Sequence, residues 1–449
     1  MEHKTTRVQM REIANTLIKF SFPLILSGVL QQLYNWADAF IVGNVEGDLA
    51  LAAVGSTTTV INFYLNAITG FTVGLAVLFA QRFGRNDFQT LPRLLSTFSI
   101  FLGTIFLILS ACGICLTVPL LRLLHTTKDT FSLSTDYLRI VLLGVPFLSV
   151  YNVYSAALRG IGDSKAPFYS ILLSSILNIG LDILFVAFLH WSVIGAAVAT
   201  IVSQIAMTGF IVVYSIKKYA ILRHRRGERL FNKGMIKEGC RFGLPPMLQS
   251  SISSAGNLVL QRFMNGFGTS TVTAVTTAYR VDSIVMLPIL NFGSGISTLV
   301  AQKIGSGEKK AAKQILTVGT VIMALVALLL TVIVIPNGGY LVALFGASQE
   351  AVSIGKAFFL RIASFYVVFG LATSVRSYLE GVGDMAYSSV AGIASLAVRI
   401  ILSYAMVPLF DNMVIAYAEA FSWVVLLILY LLRLLIIQNS GKFKGNADV

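Results

Sequence analysis

Residues 94–121 read LLSTFSIFLGTIFLILSACGICLTVPLL, a run without a single charged side chain. A helix needs about 20 apolar residues to cross the hydrocarbon core of a bilayer, and this stretch exceeds that length. In lipid the backbone must satisfy its own hydrogen bonds, which a run this long does as a helix and not as a barrel strand. The pattern recurs outward in both directions. Twelve spans are read, at 14–42, 50–80, 94–121, 132–157, 167–189, 193–217, 237–264, 270–300, 312–335, 351–377, 387–408 and 413–437. Composition agrees with them. Only 12% of the 449 residues are charged and 56% are hydrophobic, with a mean hydropathy of +0.80, whereas a soluble domain carries about 25% charged residues. A soluble enzyme, a secreted disulfide scaffold and a disordered chain are excluded. The chain is read as an all-α polytopic membrane protein.

The net charge of +14 would suggest nucleic acid in a soluble protein, but here it follows the loops. Basic residues concentrate in Lys4–Lys19, Arg82–Arg93, Lys217–Arg241 and Lys303–Lys313, while the opposite loops are poor in them. Cytoplasmic loops are enriched in Lys and Arg, so both termini are expected on the cytoplasmic side of the membrane, with no nucleic-acid partner. The first apolar run lacks a small-residue cleavage site and reads as a retained helix. Cys112 and Cys115 have C-x-x-C spacing but lie in the apolar run without companion ligands, and with Cys240 they make no disulfide framework. The four histidines (His3, His125, His190, His224) fall in termini or loops. With no intramembrane nucleophile–base or metal cluster, neither an enzyme nor a cofactor is expected.

The segment 218–234 is the one true linker, and the flanking halves repeat. Ala80-Gln81-Arg82-Phe83-Gly84 recurs as Ala301-Gln302-Lys303-Ile304-Gly305, and Leu158-Arg159-Gly160-Ile161-Gly162-Asp163 as Leu379-Glu380-Gly381-Val382-Gly383-Asp384, both 221 residues later. Lys19-Phe20 with Pro23 matches Arg241-Phe242 with Pro245 at an offset of 222. A shared offset is the signature of internal duplication. Six helices per half make the repeats parallel: an N-lobe at 1–217 and a C-lobe at 235–449. The G-x-G-D turns are expected to use glycine at φ > 0, with Asp163 or Asp384 capping the following helix. Pro23, Pro146, Pro245, Pro246 and Pro288 mark expected kinks.

Ionisable groups inside a membrane are expensive and mark functional positions. In the first helix Gln31, Tyr34, Asn35 and Asp38 share one face at i, i+3, i+4 and i+7. In the fifth, Ser174, Asn178 and Asp182 do so at i, i+4 and i+8, with Ser175 beside them; the sixth offers Thr200 and Gln204, the fourth Asn152 and Ser155. Two carboxylates in a low-dielectric cavity cannot both ionise cheaply, so a proton or a small cation relieves them. The second half does not reproduce the pattern. Arg399 stands at the counterpart of Asn178, Ser403 at that of Asp182, and about Leu260 at that of Asp38. Its own candidates are Asp282 beside Arg280, and Glu419 as a neutralising partner of Arg361 or Arg399.

Together the six-plus-six arrangement, WADAFIVG at 36–43, the A-Q-x-x-G loops, LRGIGD with its echo and IGAAVAT at 194–200 resemble the multidrug and toxic compound extrusion (MATE) transporters of the MOP superfamily. That resemblance covers nearly the whole chain. It implies two six-helix lobes with alternating access, exporting amphipathic, mainly cationic drugs or toxic small molecules in exchange for H+ or Na+, as a functional monomer. Asp38, Asn178, Asp182 and Thr200 match the ion-coupling positions of the branch similar to the DNA-damage-inducible and archaeal members. Gln31 and Tyr34 match cavity-lining positions of that branch, and Asn35, Asn152, Ser175 and Gln204 are placed with them. The NorM-like branch carries acids in the seventh and tenth helices; here there is none between Gly239 and Gly266 or from Ala351 to Tyr378. The C-lobe residues Asp282, Arg399 and Glu419 are therefore secondary candidates. The alternative within the superfamily is a flippase for lipid-linked oligosaccharide or cell-wall precursors, for which the C-lobe arginines would bind pyrophosphate.

Overall fold

The computed structural model describes residues 2–224 and 230–439, with side chains from residue 9 onward. The middle of the basic linker (225–229), the extreme N-terminus and the last ten residues, on which the expectation of cytoplasmic termini partly rests, lie outside the described residues.

The described chain is helical, without a strand. The spans are α1 (Glu2–Glu46), α2 (Asp48–Gly84), α3 (Thr90–Cys115), α4 (Lys128–Gly160), α5 (Lys165–Asp182) and α6 (Ser192–Lys218). They continue as α7 (Lys233–Met264), α8 (Thr269–Gly305), α9 (Lys309–Ala343), α10 (Gln349–Gly381), α11 (Met385–Ala405) and α12 (Val407–Asn439). Ten of these are long and apolar enough to cross a membrane, and α10 makes an eleventh as two segments bent by 46°. The twelfth, α7, has the length, at 32 residues. It falls short in hydropathy because Gln249, Ser250, Ser251, Ser253, Ser254, Asn257 and Gln261 crowd its second half.

Several spans differ from their sequence outlines for local reasons. The expected span 94–121 ends as α3 at Cys115 and restarts as a short helix, Thr117–Leu123. The expected kink at Pro288 is a restart of α8 after Met286, with the proline in the first turn, where its missing N–H is no loss. The bend in α10 falls at Ser364–Phe365 and involves no proline.

The chain divides into two compact units, residues 26–243 and residues 1–25 with 244–449. The boundaries thus differ from the expected lobes by an exchange: residues 1–25 belong with the second half and 235–243 with the first. α1 and α7 each pass from one unit to the other, next to Pro23 and at Pro245-Pro246. Inside the first unit α4 packs on α2, α3 and α6, while α5 packs on α6; inside the second α10 packs on α8, α9 and α12, while α11 packs on α12. The duplication is therefore structural as well as textual.

The repeated turns close identically. Gly162 N–H donates to Arg159 O and Asp163 N–H to Leu158 O; Gly383 N–H donates to Glu380 O and Asp384 N–H to Leu379 O. The glycines sit at φ 98° and 95°, a region closed to most side chains. The capping expectation divides. Asp163 Oδ1 accepts from the N–H groups of Lys165 (3.0 Å) and Ala166 (3.1 Å) and caps α5. Asp384 does not cap α11, because Arg433 Nε, at 2.6 Å, takes its carboxylate instead.

Candidate functional site

Within the first unit, α1, α4, α5 and α6 bring polar side chains into an apolar interior. Asp38 is 9% exposed, and Asn178 and Asp182 are fully buried. The two carboxyl groups are close neighbours. The Tyr34 hydroxyl stands beside Thr200 and faces both acids. Tyr137 on α4, absent from the sequence candidates, faces Asp38, Tyr34 and Asp182. Its ring packs in an apolar cluster with Val42, Val141, Val186 and Val193, so only its hydroxyl is polar at the site.

Five side-chain atoms here are buried without a hydrogen-bond partner: Asp38 Oδ1, Asp182 Oδ1 and Oδ2, and Asn178 Oδ1 and Nδ2. Buried polar groups are nearly always paired, because each unpaired one costs about 1–3 kcal/mol. Neither acid forms an ion pair among the described residues. Four of the five atoms are oxygens, so the cluster is rich in acceptors and matches a proton or a small cation in charge and donor type. Among the described residues no group of three His, Cys, Asp or Glu forms, so a cation here would need the neutral oxygens of Asn178, Thr200 or the tyrosines to complete its shell.

The local backbone changes at the site. α5 ends at Asp182 and continues as a π-helical turn, Ile183–Phe188. Such turns are rare and favour functional positions. It is closed by the Leu189 N–H to Leu184 O and the Trp191 N–H to Phe185 O, both at 2.9 Å, and by Phe185 stacked on Trp191 with centroids 5.0 Å apart.

Other candidates are not joined to this cluster by hydrogen bonds. Gln31 and Asn35 are exposed. Asn152 Nδ2 donates back to Leu148 O at 2.8 Å. Ser175 is 7% exposed. Gln204 lies against Gly144, where an added Cβ would come within 2.2 Å of its Oε1. Thr200 Oγ1 donates to Ala196 O at 3.0 Å and keeps its lone pairs for the site.

The second unit treats its acids differently. Glu419 pairs with Arg399 at 2.7 Å, and Tyr279 joins both. Arg361, the other expected partner of Glu419, donates to Ala357 O and lies over the Tyr417 ring. Asp282 accepts a hydrogen bond from the Tyr366 hydroxyl and does not pair with Arg280, which is exposed. Asp282 and Glu419 thus each have a hydrogen-bond partner, whereas three of the four carboxylate oxygens of Asp38 and Asp182 have none.

A family model described as MatE matches residues 23–184 and 245–405. The chain is 28% identical over 380 residues to the probable multidrug resistance protein YpnP of Bacillus subtilis (strain 168), covering 83% of both chains. To the multidrug export protein MepA of Staphylococcus aureus (strain MSSA476) it is 23% identical over 432 residues, covering 94% of each. The crystal structure of MATE in the bent conformation superposes with a TM-score of 0.90 at 20% identity, over 97% of this chain and 99% of that one. An outward-facing multidrug resistance MATE family transporter of the MOP superfamily gives 0.87 at 22% identity, over 96% and 97%.

Proposed function

Because the chain belongs to the MatE family, and is thus a multi-pass membrane transporter of small molecules and not an enzyme, we propose that it is a secondary antiporter exporting amphipathic, mainly cationic drugs in exchange for H+ or Na+. Relatives described as multidrug resistance and multidrug export proteins support the drug class. The observation that carries the coupling is the Asp38–Asp182 pair, buried together with no basic partner. Two such carboxylates repel when both are ionised, and either a bound cation or one shared proton removes the repulsion. In this reading Asp38, Asn178, Asp182 and Thr200 hold the ion, with Tyr34 and Tyr137 beside it. A cationic substrate competes for the same negative charge, so its release and ion entry are linked. Alternating exposure of the site to the two faces then makes the exchange vectorial. The positive-inside bias supports cytoplasmic termini.

The test is efflux of a fluorescent organic cation from proteoliposomes under an imposed proton or sodium gradient. Wild type is expected to respond to one of the gradients, and Asp38→Asn and Asp182→Asn are each expected to lose that response. Full gradient-driven efflux by both variants overturns the assignment.

A further inference from the structure

The second unit contains a cavity that the coupling site does not use. It has a volume of about 350 Å³ and lies among α7, α8, α11 and α12. This is within the size range of small-molecule sites, roughly 300–1,000 Å³. Phe263, Met264 and Ile415 give it apolar walls; Asn257, Gln261 and Ser403 add neutral polar groups, and its charged wall is the Tyr279–Arg399–Glu419 triad. Arg399 Nη2 donates to Glu419 Oε2 and to the Tyr279 hydroxyl, both at 2.7 Å, and that hydroxyl donates to the same Oε2 at 3.1 Å. The bonds therefore converge on one nitrogen, one carboxylate oxygen and one hydroxyl. Arg399 Nε and Nη1 and Glu419 Oε1 take no bond among the described residues, yet none is sealed from access.

We propose that this cavity binds a zwitterion of the α-amino-acid kind, with adjacent carboxylate and ammonium groups on an aromatic or branched apolar body. Two opposite charges fixed side by side discriminate by sign. A lone cation meets the repulsion of Arg399, and a lone anion that of Glu419. A ligand carrying both charges close together takes one spare guanidinium nitrogen, Nε or Nη1, with its carboxylate and Glu419 Oε1 with its ammonium, so each ligand charge meets its opposite. The rings of Tyr279 and Phe263 offer faces and edges to an aromatic body, and Met264 adapts to its shape. The site extends the substrate class beyond cations and does not rest on the Asp38–Asp182 reading.

The experiment is calorimetric binding to the purified full-length protein of three probes that share one indole body and differ in which charge is blocked: L-tryptophan, its methyl ester and its N-acetyl derivative. L-Tryptophan is expected to bind, and both blocked forms to bind weaker by roughly tenfold to a hundredfold, the ratio set by one unpaired buried polar group. The double variant Arg399→Met/Glu419→Leu replaces the pair by apolar groups of similar volume, a change that folded proteins tolerate, and is expected to lose the preference. Asp38→Asn is expected to keep it. No binding of L-tryptophan overturns the proposal, as does equal binding of the ester or unchanged discrimination by the double variant. The wild-type comparison among probes stands whether or not the variant folds.

Discussion

Asp38 on α1 and Asp182 on α5 are buried as neighbours in an interior where, among the described residues, no arginine or lysine pairs with either. A pair built for stability would include a cation, as Arg399 and Glu419 do. In the proposed coupling role the acid pair instead stores like-charge repulsion that an incoming ion relieves. Asp182→Asn is therefore expected to leave the thermal unfolding midpoint in detergent unchanged or raise it, by on the order of 1 kcal/mol of relieved repulsion, while abolishing gradient-driven efflux. A marked fall in the midpoint would identify a structural pair.

Tyr137 offers a separate test, because its ring belongs to the core and its hydroxyl to the site. Tyr137→Phe keeps the packing with Val141 and Val186 and removes the hydroxyl alone. The midpoint should hold, and the ion concentration that half-saturates efflux should rise by roughly tenfold, the usual effect of one lost hydrogen bond to a charged group. An unchanged ion dependence would assign Tyr137 to packing only.

What could be read in the sequence divides along the range of the interactions. The stripe that carries Tyr34 and Asp38 was legible because helical periodicity is local, and the 221-residue echo because duplication leaves text. Tyr137 was not. One aromatic residue on α4 carries no signal until α1 and α5 are placed against it. Asp384 was misread as a cap because Arg433, far along the chain, outcompetes the backbone for its carboxylate. The bend of α10 involves no proline, so no local residue announced it. The second half of α7 reads in sequence as part of an ordinary span at 237–264, although its glutamines and serines lower the hydropathy of that stretch.

The duplication itself can be probed at matched glycines. Gly160 lies where an added Cβ would come within 2.5 Å of Phe79 Cβ, and Gly381 where it would come within 2.7 Å of Val300 Cβ. Phe79 and Val300 are themselves repeat counterparts, so both halves use one glycine to let α4 approach α2 and α10 approach α8. Gly160→Ala and Gly381→Ala are each expected to lower stability by about 1–3 kcal/mol, the range for overpacking a dense core, measured as a fall in unfolding midpoint. An effect in one half only would show that the close approach is not a shared requirement of the repeat.

Asp163, in the turn between α4 and α5, gives a prediction in pH. Burial alone would raise its carboxyl pKa, but the Tyr219 hydroxyl at 2.6 Å, the Ala166 N–H and the Lys218 ammonium at 3.3 Å outweigh burial and hold it below the ordinary carboxylate value. A group depressed on folding contributes its full stability above the unfolded pKa of about 3.9 and loses it as pH falls through the lower folded value. Asp163→Asn removes the charge and weakens the cap, so it should be less stable than wild type by about 1–2 kcal/mol at pH 7. The gap between the two should narrow as pH is taken below about 3.9, because wild type then protonates the same oxygen. Unfolding midpoints of both proteins across that range decide it. A gap that stays constant with pH would mean that the capping hydrogen bonds, and not the charge, tie this turn to Tyr219 and Lys218.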